Sequence, residues 1–134
     1  MSIIMDTGPL VSYIRRRDTY HHWARKVFAS LAQEIWCCEA VMSEAAFLLA
    51  STSQGAERLL GIADQMQFPF SYHEEKELVN ELMLKYRTVP MSFADACLVA
   101  MYEPGAKILT LDSDFLIYRT LDGKPLDVIM PEMG

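Results

Sequence analysis

Acidic residues end apolar segments near both ends of this 134-residue chain. Residues 3–5 form a short apolar run that stops at Asp6, and the largely apolar residues 108–111 stop at Asp112. An aspartate after a strand is often only a turn residue, because its short side chain bonds to the nearby backbone. Two apolar strands that both end in a carboxylate also predict a shared acidic site.

Two further carboxylates are predicted to reach the same place. Glu44 lies where we expect a helix to start after the second strand, and Asp95 lies in the first turn of a helix that Ser92 is expected to cap. Helices run antiparallel to strands in βαβ units, so their N-termini face the carboxyl edge of the sheet, where ligands bind. The four carboxylates expected to meet at this edge are Asp6, Glu44, Asp95 and Asp112.

Each of these carboxylates also has a purely structural explanation. Asp6 and Glu44 would suit the positive end of a helix, Ser92 to Asp95 fits a capping box, and Asp112 would shape a turn. Together, however, they would repel one another by on the order of 4 kcal/mol per pair at 4 Å and an effective dielectric of 20. A hard divalent cation such as Mg²⁺ or Mn²⁺ would turn that repulsion into a binding site and could activate water to attack a phosphodiester.

The elements that must position these residues alternate between short strands and helices. We predict strands at residues 2–5, 34–41, 67–72, 106–112 and 125–130, with the third at the sheet edge because Pro69 cannot donate a ladder hydrogen bond. Helices are expected between them, beginning near residues 7, 18, 43, 55, 74 and 92. This alternation predicts an α/β fold with about five parallel strands and helices on both faces.

The charge of the chain is unevenly distributed. The net charge of −6 disfavours a simple electrostatic nucleic-acid binder, yet residues 1–30 carry +3. Arg15, Arg16 and Arg17 lie at the end of the first helix and are predicted to hold nucleotides that flank a cleaved bond, with Arg119 as a further candidate for phosphate binding. A solvated helix end explains the three consecutive arginines equally well.

The remaining composition indicates a cytoplasmic protein. Cys37, Cys38 and Cys97 form no C-x-x-C pair and are expected to be small core residues of a reduced protein rather than a zinc site. We expect no membrane segment, since no apolar stretch approaches the roughly 18 residues that one requires, and no export signal.

Four segments carry a resemblance to a known family. "MDTGPLVSYI", "SEAAFLL", "SFADACLVAM" and "ILTLDSDFLIYR" resemble, in order, the signature segments of PIN-domain ribonucleases, and most closely those of VapC-type toxins from bacterial toxin–antitoxin pairs. The resemblance covers nearly the whole chain and implies a single PIN-like nuclease domain over residues 1–134.

The resemblance also implies specific roles and partners. It assigns the family's acidic quartet to Asp6, Glu44, Asp95 and Asp112, with Asp114 at a less regular fifth position, and implies one or two Mg²⁺ or Mn²⁺ ions. It further implies RNA hydrolysis, a homodimer and a small antitoxin protein that inhibits the enzyme. Glu39 competes with Glu44 for the second acidic position, and we favour Glu44 because it follows Ser43 at the expected helix start.

The sequence fits two other function classes less well than an endoribonuclease toxin. A PIN-like module that binds RNA or protein without cutting is disfavoured by the intact acidic quartet. A phosphatase or receiver domain with an aspartyl phosphate would need a second acid close to Asp6, and "MDTG" does not supply one.

Overall fold

The computed structural model describes residues 2–132 and has a parallel four-stranded sheet at its centre. The spatial order of the strands is β2-β1-β3-β4, and every neighbouring pair is parallel. This arrangement confirms the predicted α/β class. The strands are β1 (Ser2–Met5), β2 (Glu34–Trp36), β3 (Lys107–Leu109) and β4 (Val128–Ile129).

The segment predicted as a fifth strand forms only one bridge. Gln67 pairs with Trp36 in parallel, through hydrogen bonds of 2.8 Å from the Gln67 N–H to the Ile35 carbonyl and from the Cys37 N–H to the Gln67 carbonyl. Pro69 follows two residues later and cannot donate to a ladder. The pairing therefore stops where the sequence placed a sheet edge, and the strand count of five was one too high.

Six α-helices within residues 2–132 flank this sheet. Helix α1 begins directly after Asp6, whose side chain accepts a hydrogen bond from the Thr7 N–H as an N-cap. It packs against α2 and α3, while α5 packs against α6. The helices are α1 (Thr7–Ile14), α2 (His21–Ser30), α3 (Glu39–Leu48), α4 (Gly55–Ala63), α5 (Tyr72–Lys85) and α6 (Phe93–Met101).

Helix α3 starts earlier than the sequence predicted. Strand β2 ends at Trp36 rather than at residue 41, Cys38 is the N-cap, and Glu39 lies in the first turn, where the helix dipole favours an acid. Glu44 consequently lies in the second turn of α3 and not at its start. The predicted helix start at Ser43 was wrong.

The core lies on the two central strands. Ile3, Ile4 and Met5 of β1 are completely buried, as are Ile108 and Leu109 of β3. The three cysteines are buried and unpaired, as expected. Within residues 2–132, no helix is both long and apolar enough to cross a bilayer.

Candidate functional site

The carboxyl ends of β1 and β3 lie next to each other in the sheet. Met5 pairs with Leu109, and the Asp6 N–H extends this ladder by donating to the Leu109 carbonyl at 3.0 Å. The residues that follow the two strands, Asp6 on one side and Thr110 to Asp112 on the other, therefore lie side by side. This is the edge at which the sequence predicted an acidic site.

A cavity of about 570 Å³ opens at this edge and is here named the acidic cavity. Its wall contains all four carboxylates that the sequence singled out and the fifth candidate as well, whereas Glu39 is not part of it. The acids in the wall are Asp6, Glu44, Asp95, Asp112 and Asp114.

Asp6 is the most buried of these acids, with 6% of its surface exposed. Its two oxygens accept hydrogen bonds from the Thr7 N–H at 2.7 Å and from the Thr110 hydroxyl at 2.6 Å. Burial is the main cause that raises the pKa of Asp6 to about 7, the negative charges of Asp95 and Asp112 add to it, and the two hydrogen bonds oppose it. Asp6 is thus a fixed carboxylate that lacks a compensating positive charge.

Thr110 connects Asp6 to the acids that follow β3. Its hydroxyl donates to Asp6 and accepts from the Asp112 N–H at 2.9 Å. Asp112 in turn caps a 3₁₀ helix (Ser113–Leu116), because one of its oxygens accepts from the Asp114 N–H at 2.9 Å. Asp112 therefore shapes this turn and also lines the acidic cavity.

Glu44 is held by the other threonine of the site. The Thr7 hydroxyl donates to a Glu44 carboxylate oxygen at 2.7 Å, which joins the first turn of α1 to the second turn of α3. Gly8 in the same turn of α1 lies against the residue that follows Thr110, since a Cβ at position 8 would be 3.2 Å from the Leu111 side chain. Glu44 is the exposed member of the acidic set.

Asp95 has two partners that act on it differently. Its own N–H donates to the Ser92 hydroxyl at 3.0 Å, as predicted for the cap of α6. Its carboxylate accepts from the Tyr118 hydroxyl at 2.9 Å. Burial raises the pKa of Asp95 and the nearby Asp112 adds to the rise, while hydrogen bonding of the carboxylate to Tyr118 and Ser92 partly offsets it.

Tyr118 is the site residue that the sequence did not identify. Its side chain is fully buried and stacks edge-on against Tyr86 and Phe115. Burial and the charge of Asp95 raise the pKa of Tyr118, so the hydroxyl stays protonated and can only donate to the carboxylate. Its contact spans 23 residues of sequence, and no local pattern around a single tyrosine signals such a contact.

The acidic set fits a hard divalent cation in its chemistry. Its donors are all carboxylate oxygens, which Mg²⁺ and Mn²⁺ prefer, and the raised pKa values of Asp6 and Asp95 are those of acids without a counter-charge. Among residues 2–132, no three acidic, histidine or cysteine side chains are close enough together to hold an ion. Binding would therefore require these side chains to rotate toward one another.

The arginines named in the sequence do not belong to the acidic cavity. Arg15, Arg16 and Arg17 line a separate cavity of about 560 Å³, here named the arginine cavity. Arg119 lies in neither, since its guanidinium donates to the carbonyls of three residues just before it, Leu116, Ile117 and Tyr118. A contact of Arg119 with RNA stays a prediction.

Comparison with known proteins gives a family match and two similar folds. The family model described as PIN domain matches residues 3–120. The crystal structure of VapC20 from Mycobacterium tuberculosis, described as a sarcin-ricin loop cleaving toxin, superposes with a TM-score of 0.78 at 21% sequence identity, covering 92% of this chain and 99% of that one. No curated protein matches the sequence.

The second similar structure is VapBC2 from Rickettsia felis, bound to a DNA fragment from its promoter. It superposes with a TM-score of 0.66 at 13% identity and covers 98% of this chain and 100% of that chain. At such identities the two superpositions establish a shared fold.

Proposed function

Because the chain belongs to the PIN domain family, we propose that it is an endoribonuclease that hydrolyses RNA phosphodiester bonds with the help of Mg²⁺ or Mn²⁺. We propose further that it is the toxin of a toxin–antitoxin pair. The observation that carries the proposal is the acidic cavity, where five carboxylates from four separate segments line one wall at the carboxyl edge of the sheet.

The residues of the chain have separate tasks in this proposal. Asp6, Glu44, Asp95 and Asp112 would hold one or two ions, with Asp114 as a fifth candidate. Thr7, Thr110 and Tyr118 each hydrogen-bond one of these carboxylates and restrict its freedom, so that a rotation of the side chains toward one another would complete the site when an ion binds. A bound divalent ion would supply positive charge to the phosphate and lower the pKa of a water molecule.

Cleavage of purified total RNA tests the proposal directly. We expect the protein to cut RNA in Mg²⁺ or Mn²⁺, to stop in EDTA, and to resume when excess metal is restored. Asp95→Asn removes one charge from the acidic cavity while the capping N–H remains, and should not cut. Cleavage that continues undiminished in EDTA would refute the metal-dependent mechanism.

The same preparations test the alternative of a module that binds without cutting. RNA binding by the wild-type protein together with no cleavage in either metal would favour that alternative. It would leave the acidic cavity without the role proposed for it.

The toxin assignment is supported by the described roles of similar folds. VapC20 is described as a sarcin-ricin loop cleaving toxin, and VapBC2 is described as bound to a DNA fragment from its promoter. The acidic cavity also has an apolar rim, since Phe47 is 81% exposed and Leu48 46% exposed beside the carboxylates. An antitoxin tail with an Arg or Lys next to an apolar side chain would fit both features, because a cation can replace the charge of the metal.

Growth of a bacterial host tests this part of the proposal. Expression of the chain should arrest growth, and co-expression of a small protein encoded beside its gene should restore it. A truncated antitoxin without its tail should fail to rescue; equal rescue would contradict the placement of the tail. We propose that the protein acts in the cytoplasm and forms a homodimer. Sedimentation equilibrium of the purified protein would test the homodimer.

A further inference from the structure

We propose that the arginine cavity binds the phosphate backbone of the RNA substrate a few nucleotides away from the cleaved bond. The inference rests on the proposed ribonuclease function. Its starting observation is that the arginines at the end of α1 meet a fourth arginine, Arg58 of α4, and the hydroxyl-rich segment 51–54 around one cavity. No sequence pattern connected Arg58 to the other three.

The positive charges around this cavity have no acidic partners. The single ion pair among residues 2–132 joins Lys124 to Asp122. Arg16, Arg17 and Arg58 are exposed, and the nearby Asp18 uses its carboxylate to accept from the Ser12 hydroxyl and the Tyr20 N–H. Four guanidinium groups around one space repel one another, and a bound polyanion would relieve that repulsion.

The wall of the cavity is held in a fixed shape. Arg15 is half-buried and donates to the Leu48 carbonyl at the end of α3 and to the Thr52 hydroxyl at 3.4 Å. The following turn is compact, because a Cβ at Gly55 would lie 2.4 Å from the Leu49 carbonyl oxygen. The hydrogen bonds of Arg15 therefore join the end of α1 to the turn. The exposed side chains of the other three arginines can contact a ligand.

The start of α4 adds to the attraction for anions. Gln54 precedes this nine-residue helix in the left-handed conformation, at φ 57°, and its side chain makes no capping hydrogen bond. The Gly55 N–H donates to the Thr52 carbonyl and Glu57 places an acid in this turn, but the next amide groups of α4 have no side-chain partner beside a cavity that carries four positive charges. Uncapped helix N-termini favour phosphate.

The two cavities lie along the same helix. The first turn of α1, at Thr7 and Gly8, borders the acidic cavity, and Ile14 at its last turn borders the arginine cavity. Eight residues at 1.5 Å each separate them by about 12 Å, which corresponds to three or four nucleotides of a stacked strand at about 3.4 Å per phosphate. A strand whose scissile phosphate lies at the carboxylates would reach the arginines with its flanking phosphates.

The shared helix favours the RNA substrate as the ligand, because a strand bound at the acidic cavity would pass the arginine cavity. Planar guanidinium groups also bind phosphate oxygens in pairs, with directed hydrogen bonds that a flexible ammonium group does not provide.

Binding of a single-stranded RNA oligonucleotide over a salt series tests the inference. The measurement uses Asp95→Asn as the parent, so that the RNA stays intact, and compares it with the same protein carrying Arg16→Ala and Arg58→Ala. Each lost phosphate contact should reduce the slope of log Kd against log salt by roughly 0.7. The loss of affinity relative to the parent should therefore be about fivefold greater at 0.1 M salt than at 1 M salt.

Two controls make the measurement specific. Arg25→Ala removes the same charge from an exposed residue that lines a different cavity, and should leave the slope unchanged. A dinucleotide is too short to span the 12 Å between cavities, so the arginine variants should bind it as tightly as the parent does.

The outcomes separate this inference from the proposed function. An unchanged slope for Arg16→Ala and Arg58→Ala in an enzyme that cuts RNA would overturn the inference alone. Equal loss of dinucleotide binding would also overturn it, because the arginines would then act at the acidic cavity. If the arginine variants lose affinity but the wild-type protein never cuts RNA, the arginine cavity stands and the ribonuclease proposal fails.

Discussion

The acidic cavity and the arginine cavity lie at the two ends of helix α1, and they differ in how firmly their charged groups are held. In the acidic cavity, Asp6, Glu44 and Asp95 each accept a hydrogen bond from a buried or half-buried donor, and Asp6 is almost completely enclosed. In the arginine cavity only Arg15 has side-chain hydrogen bonds, and the other three arginines are exposed.

This difference matches two separate physical tasks. An ion and a reacting phosphate must be held in defined positions. Hydrogen bonds that restrict the carboxylates before binding serve this task, although burial of the carboxylates costs free energy. Holding a flexible strand requires only positive charge within reach, because backbone contacts supply affinity without positioning the reacting atoms. Substitutions in the two cavities should therefore have different consequences.

Amide substitution in the acidic cavity should have the largest effect. Single changes of Asp6, Asp95 or Asp112 to Asn, or of Glu44 to Gln, should reduce the cleavage rate at saturating RNA by about 10²–10³-fold or more, as expected when one preorganised charged group is lost. Asp122→Asn removes the same charge from an exposed carboxylate outside the cavity and serves as the matched control. A quartet variant that cuts RNA as fast as this control would refute the assignment of that residue.

Asp6→Asn should stabilise the metal-free protein at alkaline pH. Asp6 has a pKa of about 7 when folded against 3.8 as the reference value, so the folded state holds the proton more tightly. Stability from this group is fully present below about pH 4 and is lost as the pH rises through 7, by at most about 4 kcal/mol.

Thermal unfolding in EDTA measures this effect. The melting temperature of Asp6→Asn should exceed that of the wild-type protein at pH 8, and the difference should shrink toward pH 4. Asp122→Asn should show no such gain. Parallel pH profiles for wild type and Asp6→Asn would contradict the raised pKa.

Tyr118→Phe should weaken metal binding without unfolding the protein. The change removes the hydroxyl that orients Asp95 and keeps the ring that packs on Tyr86 and Phe115. Loss of such a supporting hydrogen bond typically costs 10–100-fold in metal affinity or activity, so about tenfold is expected.

A Mn²⁺ titration of the cleavage rate checks this role. The concentration for half-maximal activity should rise for Tyr118→Phe, and excess Mn²⁺ should recover most of the rate. Tyr86→Phe is the matched control, because the Tyr86 hydroxyl accepts from the Arg119 N–H and makes no contact with the acidic set. The same Mn²⁺ dependence in both variants would show that Tyr118 acts only in packing.

The smallest effect on catalysis is expected in the turn beside the arginine cavity. Gly55→Ala should destabilise the fold by about 1–3 kcal/mol, because the new Cβ would meet the Leu49 carbonyl oxygen and force the turn to shift. Gly61→Ala in the same helix meets nothing within 4 Å and should be neutral or stabilising by up to about 1 kcal/mol. Urea unfolding of the two variants measures the contrast, and equal stability would show that the turn adapts freely.

The segments around the site differ in how well local sequence predicted them. The cap at Ser92 and the start of α1 were predicted correctly, because a cap depends on side chains within three residues of the helix start. The start of α3 was not, since the apolar pair Cys37 and Cys38 suits a buried strand and a buried helix entry equally well. Glu44 was nevertheless found on the cavity wall, one turn further into the helix than expected.

Local sequence patterns were enough to predict the alternation of strands and helices, the parallel sheet and the candidate acids, because periodicity and strand ends are local properties of the chain. Three contacts emerged from the folded structure: Tyr118 donates to Asp95, Thr7 holds Glu44, and Arg58 joins the arginines that follow α1. These contacts link residues 23 to more than 40 positions apart. They depend on the packing of whole helices against the sheet, which no local pattern of residues encodes.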